Sequence, residues 1–228
     1  TAAATALLIV EKRGRTRWVA AVAVACLVAG CALWGRWRMA EGAFVSTGSA
    51  IRVAVVQGNI AQGEKWNPDL RDEIIGRYVS MTKRAVEQGA TFVIWPESAF
   101  PVLFSEDLRG HQVRLLARET GATLLIGSDQ IERVRRDATT DALDDRLFNA
   151  AYLVKPDGSI GAVYRKMHLV PFGEYVPLQR LLFFVAPIVE AVSNFTPGDS
   201  RVLLPVGDAR VSTAICYEII FGSLIRGF

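Results

Sequence analysis

The sequence predicts an α/β domain preceded by one transmembrane helix. Apolar runs begin near residues 51, 90 and 122, and the segments between them carry apolar residues at helical spacing, a pattern typical of α/β domains. The stretch from Trp18 to Gly35 contains no charged residue and is about long enough to cross a hydrocarbon core as a helix. With 228 residues, of which 51% are hydrophobic, the chain can bury the core of about one domain beside that helix.

Composition argues against nucleic acid and metal as partners. The formal charge is only +3, and Lys and Arg are interleaved with Asp and Glu, so no basic stripe for a phosphate backbone is present. The three cysteines and the two histidines, His111 and His168, lack the clustered spacing of a zinc or iron site. We therefore expect no nucleic acid and no metal.

The N-terminal part divides into four predicted segments. We interpret residues 1–10 as the end of a preceding apolar helix, 11–17 as a basic cytoplasmic loop, 18–36 as the transmembrane helix and 37–50 as a polar linker. More basic residues precede the helix than follow it, and the positive-inside rule then places the chain after about residue 40 outside the cytoplasm. The chain opens on Thr1, which suggests that it was cut from something longer.

Two other interpretations of this region stay open. A basic start followed by an apolar stretch is also typical of a secretory signal, and "LVAGC" (27–31) resembles the lipobox of a bacterial lipoprotein signal, with Cys31 as the lipidated residue. In every case the remaining chain is exported. Because Cys26 and Cys31 would lie in the lipid, Cys216 would lack a disulfide partner in an oxidising compartment, which favours a chemical role for its thiol.

The first half of the domain alternates strands and helices. "IRVAVVQGN" (51–59), "ATFVIWPES" (90–98) and "ATLLIGSDQ" (122–130) are predicted strands, the first of them buried. Asn67 and Pro68 open the first helix, which Gly89 ends, and Ser105 is expected to cap the second, which carries Leu108, Leu115 and Leu116 towards Gly121. Strand, helix, strand, helix, strand predicts a parallel sheet with helices on a face.

The second half predicts hairpins. The charged segment "IERVRRDATTDALDDRL" (131–147) is interpreted as a solvated loop, and "FNAAYLVKPDGSIGAVYRK" (148–166) as a hairpin with its turn at "PDGS". "RVLLPVG" and "ARVSTAICYE" are predicted to pair around the turn at residues 207–208. The apolar segment 178–195 is either a buried helix interrupted by a proline or an arm that lies against a bilayer or a lipid-sized pocket.

Three side chains near strand ends are candidates for chemistry. Cys216 lies at a predicted strand-to-helix junction, where helical N–H groups favour a thiolate nucleophile, although an isolated cysteine is more often a packing residue. Glu97 follows a strand at the sheet edge where ligands bind in open α/β sheets, and it is a candidate general base or a helix cap. Lys166 ends a hairpin strand and is a candidate oxyanion stabiliser or a surface lysine, while we expect a structural role for His168.

The three candidates together resemble a known family. In their order along the chain, "WPES", "YRKMHL" and "CYE" resemble the Glu-Lys-Cys triad of the nitrilase, or carbon–nitrogen hydrolase, superfamily. More narrowly, "WPESAFP", "HLVPFGEYVP" and "CYEIIF" look like the apolipoprotein N-acyltransferase family, as does an apolar helix directly before "RVAVVQGNI". The resemblance implies an α-β-β-α sandwich on the periplasmic side of a bacterial inner membrane.

The resemblance also implies a reaction and its residues. Cys216 would take an acyl chain from a phospholipid as a thioester and pass it to the α-amine of an apolipoprotein's diacylglyceryl-cysteine, and no cofactor would be needed. Glu97 would be the general base and Lys166 the oxyanion stabiliser. Four further residues match positions that the family uses around its active site: Trp66, Glu174, Tyr217 and Glu218.

The resemblance leaves two other functions open. One is a membrane-anchored carbon–nitrogen hydrolase, in which water resolves the acyl-enzyme. The other is a non-catalytic exported lipoprotein or binding module, in which Cys216 is inert. The family continues with further strands, helices and a closing transmembrane helix after the position of Phe228. We therefore expect the isolated 228-residue chain to fold poorly or to be inactive.

Overall fold

The computed structural model describes residues 14–42, 50–137, 140–176 and 195–228 in two compact units, Thr1–Ala50 and Ile51–Phe228. The first unit contains helix α1, Gly14–Glu41. Its segment Trp18–Glu41 has a mean hydropathy of 2.1 and is long and apolar enough to cross a membrane. The predicted span 18–36 lies within α1, which extends into the predicted basic loop and linker; residues 1–10 lie outside the described ranges.

The second unit is built on a five-stranded sheet whose strands follow the chain order, β1-β2-β3-β4-β5. Strands β1 to β3 are parallel, as the alternation of strands and helices predicted, and β3 to β5 are antiparallel, so the sheet is mixed. A separate antiparallel pair, β6 and β7, precedes two short helical segments. The strands are β1 Val53–Val55, β2 Phe92–Ile94, β3 Thr123–Asp137, β4 Thr140–Val154, β5 Ile160–Arg165, β6 Leu204–Val206 and β7 Ala209–Val211. The helices are a 3₁₀ turn Pro68–Leu70, α2 Arg71–Glu87, α3 Leu108–Thr120, a 3₁₀ helix Cys216–Ile220 and α4 Gly222–Ile225.

The central part of the large sheet is buried on both faces. Successive strand residues point to opposite faces, so Val93 packs with residues of α2 and α3, whereas Phe92 packs with residues of β6 and β7. The resulting helix, sheet and sheet layers correspond to the first three layers of the predicted α-β-β-α sandwich. The helix-side core includes Ile74, Ile75, Tyr78, Trp95, Val113, Leu116, Leu124, Ile126 and Tyr152, and the other includes Leu125, Leu153, Tyr164, Leu204, Val206 and Ile215.

Helix α2 fixes the end of β2. Asn67 caps the preceding turn, since its side-chain oxygen accepts the N–H of Asp69 at 3.0 Å, as the Asn-Pro signal predicted. The Trp95 ring, directly after β2, stacks on Tyr78 with centroids 4.9 Å apart and donates its indole N–H to Thr82 at 2.9 Å. The chain that leads to Glu97 is therefore anchored on α2.

The predicted cap of α3 was wrong. Asp107 caps this helix by accepting the N–H of Arg109 at 2.8 Å, and Ser105 lies two residues too early to do so. Because the helix begins at Leu108, its inward face is formed by Gly110, Val113, Leu116 and Ala117. Leu108 and Leu115 are exposed, at 81% and 51%.

The predicted loop at 131–147 was also wrong. Strands β3 and β4 continue through it as an antiparallel hairpin that reaches Asp137 and Thr140. Opposite charges face each other across the hairpin: Glu132 pairs in register with Arg146, and Arg133 with Asp145. Such charged pairs stabilise an exposed hairpin even where apolar and polar residues do not alternate. The strand prediction relied on that alternation and therefore missed this hairpin.

The predictions for the first strand, the two hairpin turns and the apolar arm had different outcomes. The 51–59 strand is short and not buried, since Val53 and Val55 are 51% and 73% exposed on the edge strand β1. The hairpin turn at "PDGS" and the β6–β7 pair around Gly207 are confirmed. The apolar arm predicted at 178–195 falls, apart from Phe195, outside the described residues.

Candidate active site

Glu97 lies three residues after β2, at the carboxyl end of that strand. Its Oε1 atom accepts hydrogen bonds from the Asn149 amide at 2.6 Å and from the Lys166 ammonium at 3.2 Å. The side chain keeps 32% of its surface exposed. A carboxylate that is fixed on one side and open on the other can exchange a proton with a bound group.

Lys166 directly follows β5 and is only 1% exposed. Its Nζ atom donates to Oε1 of Glu174 at 2.8 Å and to Oε1 of Glu97 at 3.2 Å. Burial alone would lower the pKa of Lys166, but the two carboxylates outweigh burial and raise it above its ordinary value. The residue therefore carries a fixed positive charge, which can stabilise a developing oxyanion.

Glu174 and Asn149 complete a buried polar cluster around this lysine. Asn149 donates from its amide nitrogen to Glu174 at 2.8 Å as well as to Glu97, and its backbone oxygen accepts the N–H of Lys166 at 2.8 Å. The other Glu174 oxygen accepts the N–H of Val170 at 2.8 Å, which closes the loop after Lys166. Sequence reasoning missed Asn149, although a lone amide in the apolar run "FNAAYLV" was a signal of a buried polar role.

Cys216 is an exposed residue with a free thiol at the start of the 3₁₀ helix. Its φ angle is +57°, a left-handed conformation that costs a non-glycine residue about 1–3 kcal/mol and is enriched at functional sites. Cys216 and Glu97 line the same cavity of about 160 Å³, beside Gly127 of β3. The structure thus brings the predicted nucleophile and the predicted base to one cavity.

Glu218 and Tyr217 hold the chain around this cavity. The Glu218 carboxylate is fully buried and accepts N–H groups from both segments of the site, Ile215 at 2.8 Å and Met167 at 2.7 Å. It also accepts the N–H of His168 and the hydroxyl of Tyr164. The Tyr217 hydroxyl donates to the Leu169 carbonyl at 2.7 Å, and its ring centroid lies 5.8 Å from the Lys166 Nζ atom. These two residues position the segments that carry Lys166 and Cys216.

Trp66 is 46% exposed and is not part of the hydrogen-bonded cluster among the described residues. Its neighbour Lys65 reaches the site instead: the Lys65 Nζ atom donates to the backbone carbonyl of Glu97 at 3.0 Å. Asp129, on β3 in register with Asn149, lies near the same ammonium. Burial raises the pKa of Asp129 to about 6, although the Lys65 charge counteracts that shift. The sequence analysis identified neither Lys65 nor Asp129.

The described residues contain no group of three or more His, Cys, Asp and Glu side chains that could hold a metal ion. What the cluster offers is acid–base chemistry next to a thiol. Glu97 can take and return a proton, Lys166 supplies a fixed positive charge, and Cys216 presents an accessible sulfur.

Comparison with known proteins places this geometry in a family. A sequence model of the carbon–nitrogen hydrolases matches residues 52–227. The chain is 35% identical over 183 residues to the apolipoprotein N-acyltransferase of Geobacter metallireducens, which covers 79% of this chain and 34% of the relative. It is 30% identical over 231 residues to that of Gloeobacter violaceus, covering 99% of this chain and 41% of the relative. The chain thus spans between a third and about two fifths of the length of these curated relatives.

Solved structures share the fold. An amidase from a Nesterenkonia species superposes with a TM-score of 0.53 at 21% identity, over 79% of this chain and 60% of the amidase. The carbon–nitrogen hydrolase of Helicobacter pylori gives 0.50 at 18% identity, over 78% and 55%. The predicted nitrilase-like α/β fold is confirmed. Since the family match covers well over half of its residues, the chain belongs to the carbon–nitrogen hydrolase family.

Proposed function

We propose that this chain carries the catalytic domain of an apolipoprotein N-acyltransferase, with Glu97, Lys166 and Cys216 as its triad. One observation carries the proposal: Lys166 is held by two carboxylates, and one of them, Glu97, lines a cavity together with the exposed residue Cys216. The names of the curated relatives supply the reaction class.

In the first step, the Cys216 sulfur attacks the carbonyl carbon of a phospholipid ester while Glu97 takes the thiol proton. The ammonium of Lys166 stabilises the oxyanion of the tetrahedral intermediate, a contribution typically worth about 10²- to 10³-fold in rate. Collapse of this intermediate breaks the ester C–O bond, and Glu97 returns the proton to the departing lysophospholipid hydroxyl. The product is a thioester on Cys216.

In the second step, the free α-amine of an apolipoprotein's diacylglyceryl-cysteine attacks the thioester. Glu97 takes a proton from the amine, Lys166 again faces the oxyanion, and the Cys216 sulfur departs and is reprotonated. The amide is more stable than the thioester, so the transfer proceeds without a cofactor. Among the supporting residues, Glu174 fixes Lys166, while Tyr217 and Glu218 hold the neighbouring loops.

An apolar cavity supports a lipid donor. Its volume is about 390 Å³, and its walls include Met167 and Tyr217, the residues that directly follow Lys166 and Cys216 in the chain. Leu169, Pro171, Phe195 and Pro197 line the rest together with His168 and Tyr175. Helix α1 would hold the domain at the membrane. We place the domain on the periplasmic side of the inner membrane, because more basic residues precede the apolar segment that begins at Trp18 than follow it.

The family and the solved amidases favour one second candidate, a hydrolase in which water replaces the amine. Acylation of Cys216 is common to both reactions, so the second step has to separate them. The two proposals differ in donor as well, since an amidase would take its acyl group from an amide.

The test is carried out on the protein in membranes, in the full length that its gene encodes, with labelled phospholipid and no acceptor. We expect a hydroxylamine-sensitive acyl label that is absent from Cys216→Ala and is removed by an apolipoprotein peptide. A label that water removes as fast as the peptide does would favour the hydrolase. Absence of a label would reject phospholipid as the donor.

A further inference from the structure

Glu97 is contacted by two lysines. Lys166 bonds its carboxylate, whereas the ammonium of Lys65, which precedes α2 in the chain, bonds its backbone carbonyl at 3.0 Å. Lys65 and Glu97 also line a second cavity of about 290 Å³, with Gln57 and Ser98. The proposed reaction gives Lys65 no part, and the contact therefore calls for another explanation.

The backbone at Glu97 is strained and closely packed. Ser98 has a φ angle of +46°, a left-handed conformation that is unfavourable for serine. On the β3 side, a Cβ atom at Gly127 would lie 2.8 Å from the Glu97 Cα atom and would clash with the Pro96 carbonyl oxygen. The segment 96–98 therefore lies directly against β3, and neighbouring groups must hold it in this conformation.

Lys65 is held in a partly buried, acidic setting. Burial lowers the pKa of the Lys65 ammonium, and the charges of Glu97 and Asp129 partly restore it. One carboxylate oxygen of Asp129 is buried and has no hydrogen-bond partner among the described residues. A lysine on the surface would avoid the cost of this burial. The Lys65 ammonium instead bonds the backbone carbonyl of Glu97, the proposed base.

We propose that Lys65 is a positioning residue for Glu97: its ammonium fixes the Glu97 carbonyl and so keeps the carboxylate at Asn149 and Lys166. This proposal rests on the proposed role of Glu97 as general base. Lys65 touches neither substrate nor sulfur in this role. It acts through the segment 96–98, together with the close approach that Gly127 permits.

The first test measures Cys216 acylation at several concentrations of labelled phospholipid in membranes containing the full-length protein. Misplacement of a catalytic group by about 1 Å can cost about 100-fold, so we expect Lys65→Met to slow acylation about 10- to 100-fold with an unchanged half-saturating concentration. Lys65→Arg, which keeps a cationic donor, should lie nearer to the wild type. Lys83→Met is the matched control, since Lys83 is an exposed lysine of α2 with only a 4.0 Å ion pair to Glu119.

The second test does not depend on the lipid reaction. Iodoacetamide alkylation of Cys216, followed on the peptide that contains it, reports how readily Glu97 deprotonates the thiol. We expect Lys65→Met to slow alkylation in the wild type and to add nothing in a Glu97→Gln background. Equal slowing in both backgrounds, or a Lys65→Met protein that acylates and alkylates normally, would overturn the proposal. A change confined to the half-saturating concentration would also overturn it, because Lys65 would then bind the donor.

The two proposals fail in different ways. If the wild type forms no acyl label, phospholipid is not the donor, yet the alkylation cycle still decides whether Lys65 acts through Glu97. If the label forms and the cycle shows additive effects, the acyltransferase proposal stands and the positioning role of Lys65 falls.

Discussion

The ammonium of Lys166 lies 2.8 Å from Glu174 and 3.2 Å from Glu97, so the carboxylate that is proposed to move protons is not the one that holds the lysine most closely. Glu174 is 9% exposed and has a backbone partner of its own at Val170. The two carboxylates next to the ammonium therefore differ in role. Glu174 anchors the positive charge, whereas Glu97 stays partly exposed and lines the cavity that Cys216 also lines.

Glu174→Gln tests this division. A glutamine keeps the shape but loses the charge, and its NH₂ group would face either the Lys166 ammonium or the Val170 N–H, both of which are donors. We expect acylation of Cys216 to slow about 10- to 100-fold, less than the roughly 10²- to 10³-fold for loss of an oxyanion donor, because the Lys166 ammonium remains but is held less firmly. Glu119→Gln, on the exposed surface of α3, should acylate normally. Equal rates for the two variants would contradict an anchoring role of Glu174.

Asn149→Asp tests how the cluster tolerates charge. The substitution is nearly isosteric, but it places a third carboxylate where an amide now donates at 2.6 Å to Glu97 and at 2.8 Å to Glu174. Like charges at this distance repel or force protonation, so we expect Asn149→Asp to reduce acylation by at least about 100-fold and more than Asn149→Ala does. The reverse order, measured with labelled phospholipid in the same membranes, would show that size matters more than charge.

Glu218 should behave as a structural residue. Its two oxygens accept three backbone N–H groups and the Tyr164 hydroxyl. Glu218→Gln replaces one of these accepting oxygens by an NH₂ group, which would face hydrogen-bond donors. We expect a loss of stability of about 3 kcal/mol or more, seen as low yield or a lowered Tm. Tyr164→Phe removes a single donor and should cost about 1 kcal/mol while acylation is kept. A stable Glu218→Gln protein that fails only in acylation would point to a direct catalytic role instead.

Gly127→Ala tests the close approach of β3 to the segment before Glu97. The added methyl group would meet the Pro96 and Glu97 backbone, which cannot rotate away as a side chain can. Overpacking of this kind costs about 1–3 kcal/mol, and the displaced Glu97 should slow acylation at least about tenfold. Gly63→Ala is the control, because no atom of the described residues lies within 4 Å of its Cβ position and its φ is not positive. A Gly127→Ala protein that matches Gly63→Ala in Tm and acylation would refute the constraint.

The sequence predicted the strand ends more reliably than the long-range contacts. Glu97 and Lys166 could be placed because a strand and its turn signals are local, and Glu174 came from a family motif. Asn149 could not be linked to them, because its contacts with Glu97 and Glu174 span 52 and 25 residues. The charged hairpin after residue 131 was missed for the same reason, since the partner of Arg133 is Asp145, on the other strand. Exposed strands that pair through opposite charges lack the alternation of apolar and polar residues by which a strand is recognised in a sequence.

The buried carboxyl group of Asp129 should make stability depend on pH. Its pKa is raised from an ordinary 3.8 to about 6, chiefly by burial, with Lys65 opposing and Glu97 and Glu174 adding to the shift. Well below pH 4 the group is protonated in both the folded and the unfolded chain and does not affect stability. As the pH rises from 4 to above 6, the unfolded chain releases its proton first, so the folded state loses stability. At about 1.4 kcal/mol for each pH unit, the full loss above pH 7 is at most about 3 kcal/mol.

Asp129→Asn removes this loss without changing the shape of the side chain. We expect its Tm to exceed that of the wild type at pH 8 and to match it at pH 4, as measured by tryptophan fluorescence of the full-length protein. Asp208→Asn, in the exposed β6–β7 turn, should leave the wild-type pH dependence intact. A Tm gain of Asp129→Asn that is equal at both pH values would mean that ionisation of Asp129 is not the cause. A lower Tm of Asp129→Asn at pH 8 would mean that the charged carboxylate of Asp129 stabilises the fold through Lys65. The Lys65 ammonium at the Glu97 backbone would then need the Asp129 charge to stay protonated.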